Sequence, residues 1–323
     1  MNALKRHLIV TNKGNATVAF VDPDAGTILH TLQMSTNPHE LELSADASHA
    51  YISLYGDGVY GNNIHPGTQI AVIDTQDMML RQPIELGLAA PHGLARTPDG
   101  MLYVACDKGN AIVRIDLKNE RVVDRIVTGV HTHWVVATPD GGQLIGSNKD
   151  TDHLSLVDTR DNSVTRIPVE NGTEGIALSA DGRVLYAMDH VAPALHVIDL
   201  DKRAIVETVA LEGYPELAKE TDHMLRVTVS PTGSRLAING FRYGLLTLLD
   251  LEAPYRQRRM PIGPGPMVMR FVDGDAEVWV ANGDANTITA IDVESARPIR
   301  SFVTSADPLA GPESFAFIPI SDR

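Results

Sequence analysis

The chain has a single cysteine, Cys106, in 323 residues. An internal disulfide is therefore excluded, and with it the small stapled domains that rely on one. Cys106 sits in the apolar run LYVAC and reads as a packing residue, not a nucleophile. No apolar run approaches the roughly 18–20 residues that a spanning helix needs, so no membrane partner is expected. Positive charge is also scarce: 27 Lys and Arg stand against 41 Asp and Glu, a formal net charge of −14. Phosphate backbones are held by clustered Lys and Arg, so no nucleic-acid partner is expected. The one concentrated basic stretch, Arg256 to Arg259, reads as a solvated edge. The first residues, MNALKRHLIV, carry no signal-peptide core, and a cytoplasmic setting is the expectation.

What is present is strand. The composition is 43% hydrophobic and 21% charged, as in an ordered globular chain. A short apolar run returns seven times: HELELSA from His39, HGLARTP from His92, HWVVATP from His133, EGIALSA from Glu174, MLRVTVSP from Met224 (with Leu225 at the aligned position), MVMRFVD from Met267 and ESFAFIP from Glu313. Turns such as TPDG, SADG and SPTG follow, supplying the positive φ of tight hairpins. A second strand of the LYVAC type comes next, then a third ending in Asp (Asp74, Asp116, Asp158, Asp199, Asp250, Asp292), then a fourth. Those aspartates are expected to fix turns by bonding nearby backbone. The spacing of roughly 41 to 53 residues, with four strands per unit, is the period of a propeller blade. The first unit begins at a second strand, HLIVT, and ESFAFIP is an inner strand with nothing after it. The expected fold is all-β: one seven-bladed β-propeller over residues 1–323, four antiparallel strands per blade, the C-terminal strand completing the N-terminal blade.

The blades with VID or VVD after a YVA-type strand and a PDG turn resemble the YVTN-type seven-bladed propellers. That group includes lactonase-like proteins and is similar in fold to the propeller domains of nitrous-oxide reductase and the cytochrome d1 proteins. The resemblance covers essentially the whole chain; it implies fold strongly and function weakly, because one propeller hosts many chemistries. The streptogramin lyases, another seven-bladed metal-dependent group, offer a functional parallel through His and Glu near the channel. No CxxCH haem motif is present, and no set of copper-cluster histidines fills the ring.

Inner strands of a propeller line its channel, and their starting ends share one face. Four consecutive units start with His39, His92, His133 and Glu174, and Glu313 stands beside the first of them across the closure. His223 precedes Leu225 by two positions, and His131 precedes His133 by the same offset. Long segments fall on this face too: LYGDGVYGNNIHPGTQ, EGYPELAKETD before His223, and SADPLAGP before Glu313. Insertions on one face are what a binding rim produces. His39, His92, His133 and Glu174 are thus the expected ligands of a divalent transition metal: Fe, Zn or Mn, with Cu also compatible with imidazole and carboxylate. Glu313, His131 and His223 are the candidates for acid–base catalysis, and His65, Arg242 and Tyr243 for substrate contact. His153 and His190 read as surface-loop residues, and Met267 as channel packing. The expected activity is Lewis-acid chemistry on a small organic molecule: ring-opening hydrolysis of a lactone-like substrate, or a lyase-type elimination. Fe(II)- or Cu-dependent oxidation at the same histidines is one alternative. A non-catalytic propeller that binds a partner or a cofactor, such as a tetrapyrrole, is another.

Overall fold

The computed structural model describes residues 6–59, 61–214, 222–252 and 255–320. Residues 1–5, on which the cytoplasmic expectation partly rests, lie outside the described residues. So do residues 215–221, the middle of the extended segment before His223.

Seven antiparallel sheets form; six read from the axis outward as consecutive strands of the chain, and the seventh places the last strand inside the first three. The inner strands are Pro312–Pro319, Pro38–Leu43, Pro91–Arg96, Thr132–Ala137, Thr173–Leu178, Leu225–Val229 and Pro266–Val272, which number blades 1 to 7 here. The outer strand of blade 2 is broken into Met79–Leu80 and Ile84–Glu85, both pairing with Pro66–Asp74. Second strands are buried along nearly their whole length, as in Met101–Cys106, because each lies between two neighbouring sheets. Outer strands such as Arg121–Val127 alternate between exposed and covered positions. Cys106 is fully buried, as expected. Third-strand aspartates accept backbone N–H bonds from residues two or three further on, at Asp74, Asp116, Asp158, Asp199 and Asp292. Asp250 differs; its carboxylate accepts from Arg235 Nε at 3.0 Å. The described residues contain two short 3-10 turns, Phe241–Tyr243 and Gly283–Ala285. None of their helices is long and apolar enough to cross a membrane.

Closure follows the expectation. Pro312–Pro319 pairs with Arg6–Asn12, matching Val10 to Phe315 and Leu8 to Phe317. The ring is thereby sealed by main-chain bonds between its two ends, and Arg6–Asn12 is paired along both edges. Phe315 is fully buried in the apolar layer with Leu8, Val10, Trp279 and Ile288. Phe315→Ala should lower stability by about 3–5 kcal/mol, the usual cost of emptying a buried aromatic site. Chemical denaturation measures it; a loss under about 1 kcal/mol would mean that the closing strand is not held by this side chain.

A candidate metal centre at the channel mouth

Inner strands ought to alternate sides, so that only one of two consecutive residues faces the axis. At the channel mouth this rule is broken locally. Pairing with the second strand shifts between Pro38 and Leu41, between Thr132 and Val135, between Thr173 and Ile176, and between Pro266 and Met269. These bulges re-aim the first residues of the strands, a common device beside functional sites. The exposed backbone is captured by side chains of the second strand: the N–H of Glu40 bonds Ser53 Oγ at 3.0 Å, and that of Trp134 bonds Ser147 Oγ at 2.9 Å. Gly93 and Gly175 permit the close approach of the next inner strand. A Cβ on either would meet the backbone of Trp134 at 2.9 Å or of Arg226 at 2.7 Å.

Three histidine rings follow one another along the mouth, His92 stacked on His133 and tilted against His39. His92 lies 4.3 Å from His39 and 3.5 Å from His133, centroid to centroid. Burial holds His39 and His92 well below the usual imidazole pKa, with nearby cations adding to the effect at His39. Both rings are therefore neutral near pH 7 and carry a bare nitrogen. Nδ1 of each is buried and makes no hydrogen bond. His39 Nδ1 faces Glu40 Oε1 at 3.4 Å and Glu313 Oε1 at 3.5 Å. Donor atoms of His39, Glu40 and His92 all lie within 4.8 Å of one another. Unbonded imidazole nitrogens beside a carboxylate are a donor set that suits a borderline divalent metal, so the residues fit such an ion.

Arg226 crosses the channel beneath this group. Its Nη1 donates to Glu40 Oε1 at 3.1 Å and its Nη2 to Glu313 Oε1 at 2.7 Å. Its guanidinium carbon lies 5.2 Å from the centroid of the Trp134 ring. Burial pushes Glu40 up to about 7, with Arg226 pulling down and Glu313 pushing up. Below Arg226 and Trp134 lies a separate cavity of about 170 Å³, lined further down by Glu42 and Arg270. Above, Lys13 Nζ stands 2.9 Å from His39 Nε2. Burial lowers the Lys13 pKa, with Glu313 opposing. Lys13 and Glu313 form the polar floor of a mouth pocket of about 590 Å³.

The other expected ligands belong to a second group. His133 Nδ1 lies 3.2 Å from Asp107 Oδ2, and its Nε2 lies 3.5 Å from Glu174 Oε1. Burial and Lys149 depress the His133 pKa, but Asp107 and Glu174 outweigh them and the net shift is upward. Glu174 is paired with Lys149, which also holds Asp222 Oδ2 at 3.0 Å. Glu174, His190 and Asp222 bring donor atoms within 4.8 Å of one another. The expected set of His39, His92, His133 and Glu174 thus divides. The first two face Glu40, and the last two face a protonated lysine and Asp107.

The remaining candidates are spread around the rim. Glu313 is buried within the first group, as placed by its register. His131 pairs with Asp150 on the half-exposed rim. His223 is buried, and its Nδ1 meets Tyr243 Oη at 2.5 Å. Leu225, two positions on, turns into the apolar core between blades, while Arg226 takes the channel. His65 is exposed and bound to Asp57 at 2.6 Å. Arg242 Nε donates to the Asp222 carbonyl at 2.6 Å. His153 and His190, read as surface-loop residues, are instead buried. Sequence reasoning missed Glu40, Arg226 and Lys13. The paired strings TNK at Lys13 and SNK at Lys149 were the available signal, since both lysines leave second strands at the mouth.

No family model matches the chain, and no curated protein matches it. Solved structures do. The chain is similar to the periplasmic gluconolactonase PpgL of Pseudomonas aeruginosa, at 17% identity and TM-score 0.77, covering 98% of this chain and 99% of that one. It is similar to hydrazine synthase of Kuenenia stuttgartiensis, at 16% identity and TM-score 0.73, covering 88% and 96%. It is also similar to the dihydro-heme d1 dehydrogenase NirN, at 17% identity and TM-score 0.68, covering 94% of this chain and 64% of that one. These likenesses show the fold, a seven-bladed propeller shared by lactonase-type and d1-type proteins, as the repeats implied.

Lys149 neutralises two buried carboxylates, so removing its charge strands both. Lys149→Met should cost about 3–5 kcal/mol at pH 7. The sign with pH follows from Asp222 and Glu174, whose pKa values are held low in the fold despite burial, by His190 and Lys149 at Asp222 and by Lys149 at Glu174. Their ionised forms contribute stability that is present above the unfolded carboxylate range of about 4 and is lost on acidification below it. The gap between wild type and variant should accordingly be largest near neutrality and narrow below about pH 4. Denaturation at several pH values checks this; a gap independent of pH would contradict the pairing.

Proposed function

We propose that the chain is a hydrolase that opens the ring of a small cyclic ester at the channel mouth, with a divalent transition metal held by His39, His92 and Glu40. The observation that carries the reading is the buried trio of donor atoms within 4.8 Å, with two imidazole Nδ1 atoms that make no hydrogen bond, beside a pocket of about 590 Å³ whose lining residues Lys13 and Glu313 adjoin His39. A pocket of that size suits a small organic substrate. The fold shared with a gluconolactonase supports an ester of the lactone type. When bound, the metal supplies Lewis-acid polarisation of the ester carbonyl and a water of lowered pKa.

The protein groups have separate tasks in this reading. Glu313, on the pocket floor and beside His39, accepts the proton of the attacking water. Arg226 holds Glu313 and Glu40 by one oxygen each and balances their charge, which keeps both carboxylates available in a buried site. Lys13, on the same floor, gives a proton to the ring oxygen as it leaves. Trp134 and Arg226 line the lower cavity together with Glu40. Asp107 and Glu174 fix His133, whose ring supports that of His92 at 3.5 Å.

His92→Ala should abolish bound metal and lower lactone hydrolysis by roughly 100-fold or more, while the fold persists. The checks are elemental analysis of protein purified without chelator or nickel resin, lactone turnover, and the thermal midpoint. Metal content unchanged in a folded His92→Ala variant would sink the ligand assignment. Oxygen uptake with Fe(II), in place of ester cleavage, would replace hydrolysis by oxidation.

A further inference from the structure

We infer that the mouth pocket selects uncharged lactones bearing an apolar substituent, in preference to polyhydroxylated or phosphorylated ones. The chemistry rests on the lactone reading above; the selection rests on the lining alone. One side of the pocket is built by Met224, Phe241 and Met267, and its outer edge by Val59 and Leu309. The inner part of this wall is fixed: Met267 is buried, and Phe241 packs against the same apolar layer as Met267 and Trp279. Its outer part is uncovered, with Val59 52% and Leu309 77% exposed. An apolar chain laid along this wall removes both from water, which is favourable in proportion to the area covered.

Of the polar side chains in the lining, Lys13 and Glu313 stand beside His39, and Asn37, Asn62, Asp57 and Asp284 belong to segments of the chain other than the wall of Met224, Phe241 and Met267. Hydroxyls of a polyol laid along Met224, Phe241 and Met267 would lose water and gain no hydrogen-bonding side chain from those three residues, an unfavourable exchange. Asp57 does not offer a free carboxylate, because both its oxygens hold His65. Charge disfavours phosphate as well. Among the described lining residues Lys13 is the cation, set against Asp57, Asp284 and Glu313, and it already serves His39. A phosphate group would meet three carboxylates with one amine to compensate them. Loop residues thus decide what enters, and strand-start residues decide what happens to it.

The test measures kcat/KM for γ-lactones with alkyl chains of increasing length, for glucono-δ-lactone and for its 6-phosphate, on the metal-loaded full chain. In parallel, calorimetry measures binding of unreactive lactams that carry the same alkyl chains or the same polyol. The alkyl series should gain roughly threefold per methylene until the wall is covered, and the phosphorylated lactone should be the poorest substrate. Phe241→Ala should flatten the chain-length dependence. Val59→Ser with Leu309→Ser changes exposed positions only and should halve or better the gain per methylene without the risk of a folding defect. If no lactone is cleaved but alkyl lactams bind with the expected chain-length gain, hydrolysis fails and the pocket assignment stands. Polyol or phosphorylated ligands bound as tightly as alkyl ones, or no binding of any lactam, would overturn the inference.

Discussion

Arg226 brings a buried guanidinium from blade 6 into the centre of the channel, where it meets carboxylates from blades 1 and 2. Two buried carboxylates and two uncharged histidines would not tolerate one another there without it. Taking ions out of water is costly, and the cost is met only where geometry and hydrogen bonds are complete. Arg226 supplies both, with its flat face over Trp134. The same contact ties three blades together at the axis and acts, after burial, on the protonation of His39, Glu40 and Lys13. Glu40 is raised by burial yet restrained by Arg226, and His39 is kept neutral by burial among cations.

The mouth then divides by electrostatics into two sectors. In one, Nδ1 of His39 and of His92 makes no hydrogen bond, near Glu40 and near Glu313 on the floor of the mouth pocket. In the other, Lys149 pairs with Glu174 and Asp222, and His133 is held by Asp107. Carboxylates of both sectors are paired, Glu40 with Arg226 and Glu174 with Lys149, so the difference lies in the two uncharged imidazoles that face Glu40. The proposed metal site accordingly takes the first sector, and His133 of the second lies against His92 at 3.5 Å.

Much of the architecture was legible in the repeats. Blade number, strand order and closure follow from seven recurrences and an inner strand left over at the end, and Glu313 at the mouth follows from the same register. The candidate ligands His39 and His92 were legible because each leads its repeat. Glu40 was not, because strict alternation along HELELSA assigns Glu40 to the opposite side from His39. The bulge between Pro38 and Leu41 cancels that rule. Arg226 was hidden for a related reason: it occupies the second position of a repeat whose first residue, Leu225, carries no chemistry. Lys13 comes from the segment beyond a second strand, and its approach to His39 is a contact between different blades.

Period and composition alone determine how many sheets form and which strand lies innermost, since each unit must bury both faces of its middle strands against its neighbours. They determine equally that strand starts converge at one face. Which of those starts share a centre was decided only in three dimensions. Charge pairing is a matter of a few ångströms between blades far apart in the chain. Local backbone shifts of one residue are enough to exchange Glu40 for Glu174 as the partner of His39 and His92.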